Sequence, residues 1–173
     1  TVVELLQANP HLPMVCDPVL RAGGGGRLGK DEVGYAMRER LLPLATIATP
    51  NLPEARILAE LPEGSADECA EKLLPFCRHL LITGGHGDEH EVHNRLYSRD
   101  GSRHTFTCHR LPGSYHGSGC TLASTLAGRL AIGEELVSAV QTALNYTWRT
   151  LRDAEQLGQG QFVPRRLPLD FCS

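Results

Sequence analysis

The 173-residue sequence has no Cys-x-x-Cys pair and no excess of positive charge. It also has no apolar run near the roughly 20 residues that a membrane-spanning helix needs. Its six cysteines, Cys16, Cys69, Cys77, Cys108, Cys120 and Cys172, are scattered over apolar and polar contexts. A disulfide scaffold would be shorter and denser in cysteine, so reduced thiols and a cytoplasmic location are expected. The net charge of −3 argues against a nucleic-acid partner, which would call for a basic face. It leaves room for a phosphate-bearing substrate, because backbone amides and a metal can hold an anion. Neither a signal peptide nor a membrane partner is expected. No internal repeat and no second domain stand out. Hydrophobic residues at 41% and charged residues at 21% suit one domain over residues 1–173 with a real core.

What is present alternates between strand and helix. Thr1 to Gln7 reads as the last turns of an amphipathic helix that Asn9-Pro10 ends, so further residues upstream are expected. Pro13 to Val19 reads as a short buried strand ending at Asp17, followed by a glycine run from Gly23 to Gly26. A helix is predicted from an Asp31 cap to about Leu42, with Val33, Met37, Leu41 and Leu42 on one face. Thr46–Thr49 and Leu80–Thr83 read as strands, and Pro53–Glu60 and Ala66–Cys77 as helices. Glu91–Tyr97 and Arg103–Cys108 form a predicted hairpin turning at Arg99-Asp100-Gly101. Gly117–Leu130 and Glu134–Asp153 are predicted helices, with an irregular tail from Gly158. Two of the strands are continuous apolar runs, as in a parallel sheet covered on both faces. In such sheets ligands sit beyond the carboxyl ends of the strands, where Asp17, Asn51, Gly84 and Gly85 fall.

The strongest local feature is His116-Gly117-Ser118-Gly119-Cys120-Thr121. Its small residues lead into a helix, so the first backbone N–H groups stand uncovered and suit an anion. Cys120 falls in the first turn, where a thiolate is favoured. The plainer reading is a tight turn before a closely packed helix. A lipase-type elbow fails because His116 stands where Gly is required, and a dinucleotide fingerprint fails at Leu122. Gly24 to Lys30 fits G-x-x-x-x-G-K, but Asp31 replaces the hydroxyl that a P-loop offers to magnesium, which favours a lid or surface loop. Asn51-Leu52-Pro53-Glu54 reads as a capping box, or else as an anchor for magnesium together with Asp17. His86, His90 and His93, with Asp88, Glu89 and Glu91, lack the spacing of a helical zinc motif and read as a solvated loop. Tyr146 and Trp148 read as packing residues.

Four of these pieces occur together in one order. They are Asp17-Pro18-Val19 before a glycine loop, Thr49-Pro50-Asn51-Leu52-Pro53-Glu54-Ala55, Gly84-Gly85-His86, and His116 through Leu122. From about Pro13 to Asp153 the chain resembles the hydroxymethylpyrimidine/phosphomethylpyrimidine kinases of the ribokinase-like superfamily. The Leu157-Gly158-Gln159-Gly160 tail is similar to the end of that family as well.

The resemblance implies an α/β, ribokinase-like three-layer sandwich. It would have a mostly parallel central sheet, helices on both faces, a core over about 13–153 and a tail over 154–173. It also implies that the N-terminal region of the family is missing. The activity implied is ATP-dependent, magnesium-dependent phosphorylation of a pyrimidine hydroxymethyl group in thiamine biosynthesis. A pyridoxal kinase of the cysteine-bearing type and a non-catalytic nucleotide-binding remnant are the alternatives. Gly117, Ser118 and Gly119 would stabilise the transferring phosphoryl group, and Cys120 would be the base. Asp17, Asn51 and Glu54 would hold magnesium. Thr83, Gly85 and His86 would border the nucleotide, with Thr83 standing where the family has Lys and so removing a positive charge. A homodimer is also implied.

Overall fold

The computed structural model describes residues 1–20, 31–85 and 90–167, so the Gly24–Lys30 loop and His86, Asp88 and Glu89 lie outside it. The chain forms two compact units, Thr1–His109 and Arg110–Ser173. In chain order, the first unit contains α1 (Val2–Ala8), β1 (Val15–Cys16), α2 (Asp31–Ala36), β2 (Ile47–Ala48), α3 (Leu52–Ala59), α4 (Ala66–Leu73), β3 (His79–Ile82), β4 (Glu91–Ser98) and β5 (Arg103–His109).

Its sheet runs β1-β2-β3-β4-β5. The α/β reading stands, and the sheet is mixed: β1–β2 and β2–β3 pair parallel, β3–β4 and β4–β5 antiparallel. The stretch from Thr83 to His90 is too short for a parallel crossover, which takes about a dozen residues or more. Strand β4 therefore turns straight back along β3. The β4–β5 hairpin closes on Asp100, whose carboxylate accepts from Ser102 N–H at 2.9 Å.

Local chemistry sets the helix limits. Asn51 and Glu54 form the expected capping box at the start of α3, and Ser65 and Glu68 form a second one at α4. α4 stops at Leu73, short of the expected Cys77, because Pro75 has no N–H to return to Glu71. α2 is shorter than expected too. It widens into one π turn over Met37–Leu41 and closes as a 3₁₀ turn over Leu42–Leu44. Val33, expected on the buried face, is 44% exposed, whereas Leu42 is fully buried.

The core of this unit gathers Leu42, Ala48, Leu58, Leu73, Leu80 and Ile82 around the parallel strands. Cys16 and Cys77 lie in it, and burial pushes their thiols up to about 11 and about 12. They are packing groups rather than nucleophiles.

The second unit contains α5 (Ser118–Ala131) and α6 (Leu136–Arg152), which pack on one another and bury Leu122, Leu126, Ala139, Val140 and Ala143. The Glu135 carboxylate caps α6 by accepting from Val137 N–H at 3.0 Å and Ser138 N–H at 3.2 Å. The tail is more ordered than the sequence suggests. Phe162 N–H donates to Ser114 O at 2.8 Å, and its carbonyl accepts from His116 N–H at 3.0 Å. Glu155 and Val163 bridge antiparallel, and Arg165 N–H reaches Thr150 O at 2.9 Å. Among the described residues, no helix is long and apolar enough to cross a membrane.

Leu58, 1% exposed on α3, tests the packing that holds this helix to the sheet. Leu58→Ala is expected to cost about 2–5 kcal/mol in urea unfolding, well above the roughly 1 kcal/mol of a lost cap in Ser65→Ala. Equal losses would contradict the core as described.

Candidate active site

Three neighbouring strand ends of the first unit carry the residues singled out there. β1 runs out at Cys16, β2 at Ala48 and β3 at Ile82. Thr49 N–H donates to Cys16 O at 2.9 Å, and Thr83 N–H to Pro50 O at 2.9 Å, with Asn51 and Thr83 bridged in parallel. Asp17, Asn51 and Thr83 therefore follow successive strands at the same end of the sheet.

Glu54 is the most constrained of the group. It is a carboxylate only 5% exposed. Its Oε2 accepts from Asn51 N–H at 3.0 Å and its Oε1 from Leu20 N–H at 3.3 Å, while Glu54 N–H returns to Asn51 Oδ1 at 2.9 Å. One side chain thus caps α3 and ties down the segment that leaves β1. Burial raises its pKa, the two amide hydrogen bonds oppose that, and the Asp17 charge raises it further. Burial also raises Asp17. Two desolvated carboxylates that repel each other are a donor set suited to a hard divalent cation, which takes oxygen ligands. Asn51 Oδ1 is engaged in the cap, so its part here is to fix Glu54.

On the β3 side, Gly84 N–H donates to Asn94 Oδ1 at 3.2 Å. A Cβ at Gly84 would lie 2.6 Å from His93 O, so the backbones approach more closely than any side chain permits. Gly85 follows at φ 107°. His86 lies outside the described residues, as do the other partners of the histidine cluster apart from His90, Glu91 and His93. Among the described residues, no group of three or more His, Cys, Asp and Glu side chains could hold a metal.

In the second unit, Gly117 sits at φ 82° as the N-cap of α5 and offers no side chain to the helix. The first helical bond runs from Thr121 N–H to Gly117 O at 3.0 Å. The amides before it, on Ser118, Gly119 and Cys120, open the helix without a capping oxygen. Cys120 is an exposed free thiol. It lines a cavity of about 530 Å³ with Thr121, Ser124, Thr125, Tyr146 and Arg166.

Arg166 and Tyr146 were not singled out for chemistry by the sequence. Arg166 Nε donates to Thr121 Oγ1 at 3.0 Å, and Thr121 Oγ1 donates in turn to Gly117 O at 2.8 Å. The Tyr146 hydroxyl donates to Arg166 O. The only local signal is the Arg165-Arg166 pair after Pro164, and nothing in the sequence ties that pair to Thr121.

The sequence model of the family described as phosphomethylpyrimidine kinase matches residues 1–165. The chain is similar to the hydroxymethylpyrimidine/phosphomethylpyrimidine kinase of Haemophilus influenzae, 34% identical over 167 residues, covering 92% of this chain and 62% of that protein. It is also similar to the thiamine biosynthesis bifunctional protein ThiED of Geobacter sulfurreducens, 38% identical over 156 residues, covering 85% of this chain and 31% of that one. Among solved structures it resembles the pyridoxal kinase from Staphylococcus aureus in complex with AMP-PCP and pyridoxal. The TM-score is 0.83 at 26% identity, covering 95% of this chain and 61% of that one. These neighbours have the ribokinase-like fold. The chain spans about three fifths of the length of the first kinases it matches.

The buried carboxylates give a pH prediction with a definite sign. A folded-state pKa above the ordinary 3.8 means that folded Asp17 holds its proton longer than the unfolded chain does. Stability therefore falls as pH rises through that window, and the full penalty is present at neutral pH. Without divalent cations, Asp17→Asn is expected to be more stable than the wild type at pH 7, with the advantage fading as pH falls through the raised folded-state pKa towards 3.8 and absent below it. Urea midpoints across a pH series measure this, and an advantage that grew on acidification would contradict it.

Proposed function

The chain belongs to the phosphomethylpyrimidine kinase family, and from that premise we propose that it serves ATP-dependent phosphorylation of 4-amino-5-hydroxymethyl-2-methylpyrimidine and its monophosphate in thiamine biosynthesis. The observation that carries the reading is the left-handed Gly117 turn, which opens α5 without a cap beside the exposed Cys120 thiol.

In the first reaction, the substrate hydroxymethyl oxygen forms a bond to the γ-phosphorus of ATP as the bond to the β-phosphate oxygen breaks, releasing ADP. The hydroxyl proton passes to the Cys120 sulfur, which acts as the base. Amides of the Gly117–Ser118–Gly119 turn stabilise the charge that gathers on the transferring group. Asp17 and Glu54 would hold magnesium, Asn51 keeps Glu54 oriented, and Thr83, Gly85 and His86 would border the nucleotide. When bound, the ion would supply charge neutralisation to the phosphates. A homodimer and a cytoplasmic location belong to the same reading.

A second reading has its own support. The Staphylococcus aureus neighbour is a pyridoxal kinase in complex with pyridoxal and AMP-PCP, and pyridoxine also presents a ring hydroxymethyl group. Coupled ADP-release assays with the pyrimidine and with pyridoxal separate the two. Turnover on neither, with ATP still bound in calorimetry, would leave a nucleotide-binding remnant and defeat both kinase readings.

Cys120→Ala is expected to lower turnover by about tenfold or more while the ATP dissociation constant stays nearly unchanged. Unchanged turnover would remove Cys120 as the base. Magnesium should raise the melting temperature of the wild type by binding the folded state. Asp17→Asn should abolish most of that rise, and an undiminished rise would move the ion elsewhere.

A further inference from the structure

We propose that Arg166 is the anion-binding cation of the Cys120 cavity, placed by the C-terminal strap to grip a phosphate oxygen of the phosphoryl donor; this deepens the kinase reading and rests on it. The carrying observation is a guanidinium with a fixed stem and no acidic partner among the described residues. Its Nε is committed to Thr121 Oγ1 at 3.0 Å, and the Arg166 carbonyl is held by the Tyr146 hydroxyl. Just before it, Arg165 N–H is bonded to Thr150 O at 2.9 Å. The two terminal NH₂ groups are left with no hydrogen-bond acceptor among the described residues, and no carboxylate pairs with the side chain there. The neighbouring Arg165 differs, since its Nη1 meets Glu155 Oε1 at 3.0 Å.

The surroundings match. No other residue lining the cavity carries a carboxylate: there is sulfur on Cys120 and a hydroxyl on each of Thr121, Ser124, Thr125 and Tyr146. In a chain with a net charge of −3, a cation set among hydroxyls with no acid beside it among the described residues selects for an anion. A cavity of about 530 Å³ has room for a polyphosphate group, within the usual range for small-ligand sites. The steric record agrees, because a Cβ on Gly117 would lie 2.8 Å from Arg166 Nη2. One NH₂ group is thus set directly against the turn. Arginine offers a planar pair of donors that fits two phosphate oxygens at once, which lysine does not.

The test uses the chain with inorganic tripolyphosphate as probe, and three variants. Arg166→Gln removes the charge, Arg166→Lys keeps it without the fork, and Arg165→Gln is a control of equal charge change one residue away. Calorimetry is expected to show tripolyphosphate binding weakened by about tenfold or more in Arg166→Gln, less in Arg166→Lys and little in Arg165→Gln. Alkylation of Cys120, followed by mass spectrometry of its peptide, gives a readout that a purely structural role would not move. The rate ratio of anionic iodoacetate to neutral iodoacetamide should drop in Arg166→Gln and stay unchanged in Arg165→Gln.

Equal loss in Arg166→Gln and Arg165→Gln, or an unchanged alkylation ratio in Arg166→Gln, overturns the proposal. If Arg166→Gln fails to fold, Arg166→Lys decides: undiminished tripolyphosphate affinity there removes the need for the fork. The two levels of inference fail separately. Normal kinase turnover with an unchanged kcat/KM in Arg166→Gln defeats the Arg166 assignment alone. Arg166-dependent tripolyphosphate binding without turnover on either substrate defeats the kinase reading and leaves the anion site.

Discussion

A carboxylate withdrawn from water must be answered by donors, and in the first unit this requirement falls on Glu54. Asn51 and Leu20 answer it with backbone amides, so a single side chain joins the start of α3 to the segment leaving β1. Burial makes that arrangement costly as it stands, and the neighbouring charge of Asp17 adds to the cost. Stability and ligand affinity are therefore set against each other at the same atoms. The electrostatic strain that weakens the apo fold is the strain that a divalent cation would relieve. Sites of this kind tend to trade one for the other, because preorganised charge cannot also be relaxed charge.

The second unit meets a different constraint. A glycine turn leaves helix amides open, and an open turn needs something to hold its shape. The chain Arg166–Thr121–Gly117 does this through one hydroxyl that accepts from the guanidinium and donates to the turn carbonyl. The tail that carries Arg166 is fastened at several points, by Phe162 to Ser114 and His116, by Val163 to Glu155 and by Arg165 to Thr150. Order in the strap and order in the turn are thus the same order.

The sequence made some of this legible because the information was local. The Asn51–Glu54 cap spans one helical turn, and the hairpin closes over three residues, so spacing alone revealed both. The glycine turn before Cys120 could be read for the same reason. Other features depend on distant partners. The strands β1 and β2 shrink to two residues each because only those pair in the sheet, whereas apolar content suggested longer runs. The sheet came out mixed because the β3–β4 link is short, a point that strand composition does not report. Val33, in register with Met37 by sequence, is nonetheless exposed, which helical spacing alone does not report. Arg166 was invisible because its meaning comes from Thr121, far away in the chain, and its own neighbours gave no periodicity to read.

The near-collision between a side chain at position 117 and the Arg166 fork has an evolutionary corollary. The two positions are not free to drift independently. A descendant that placed even a methyl group at 117 would strain the left-handed turn and would push the Arg166 fork away from it. Covariation between these two sites across related sequences, with glycine and arginine appearing and vanishing as a pair, is the trace such a constraint would leave.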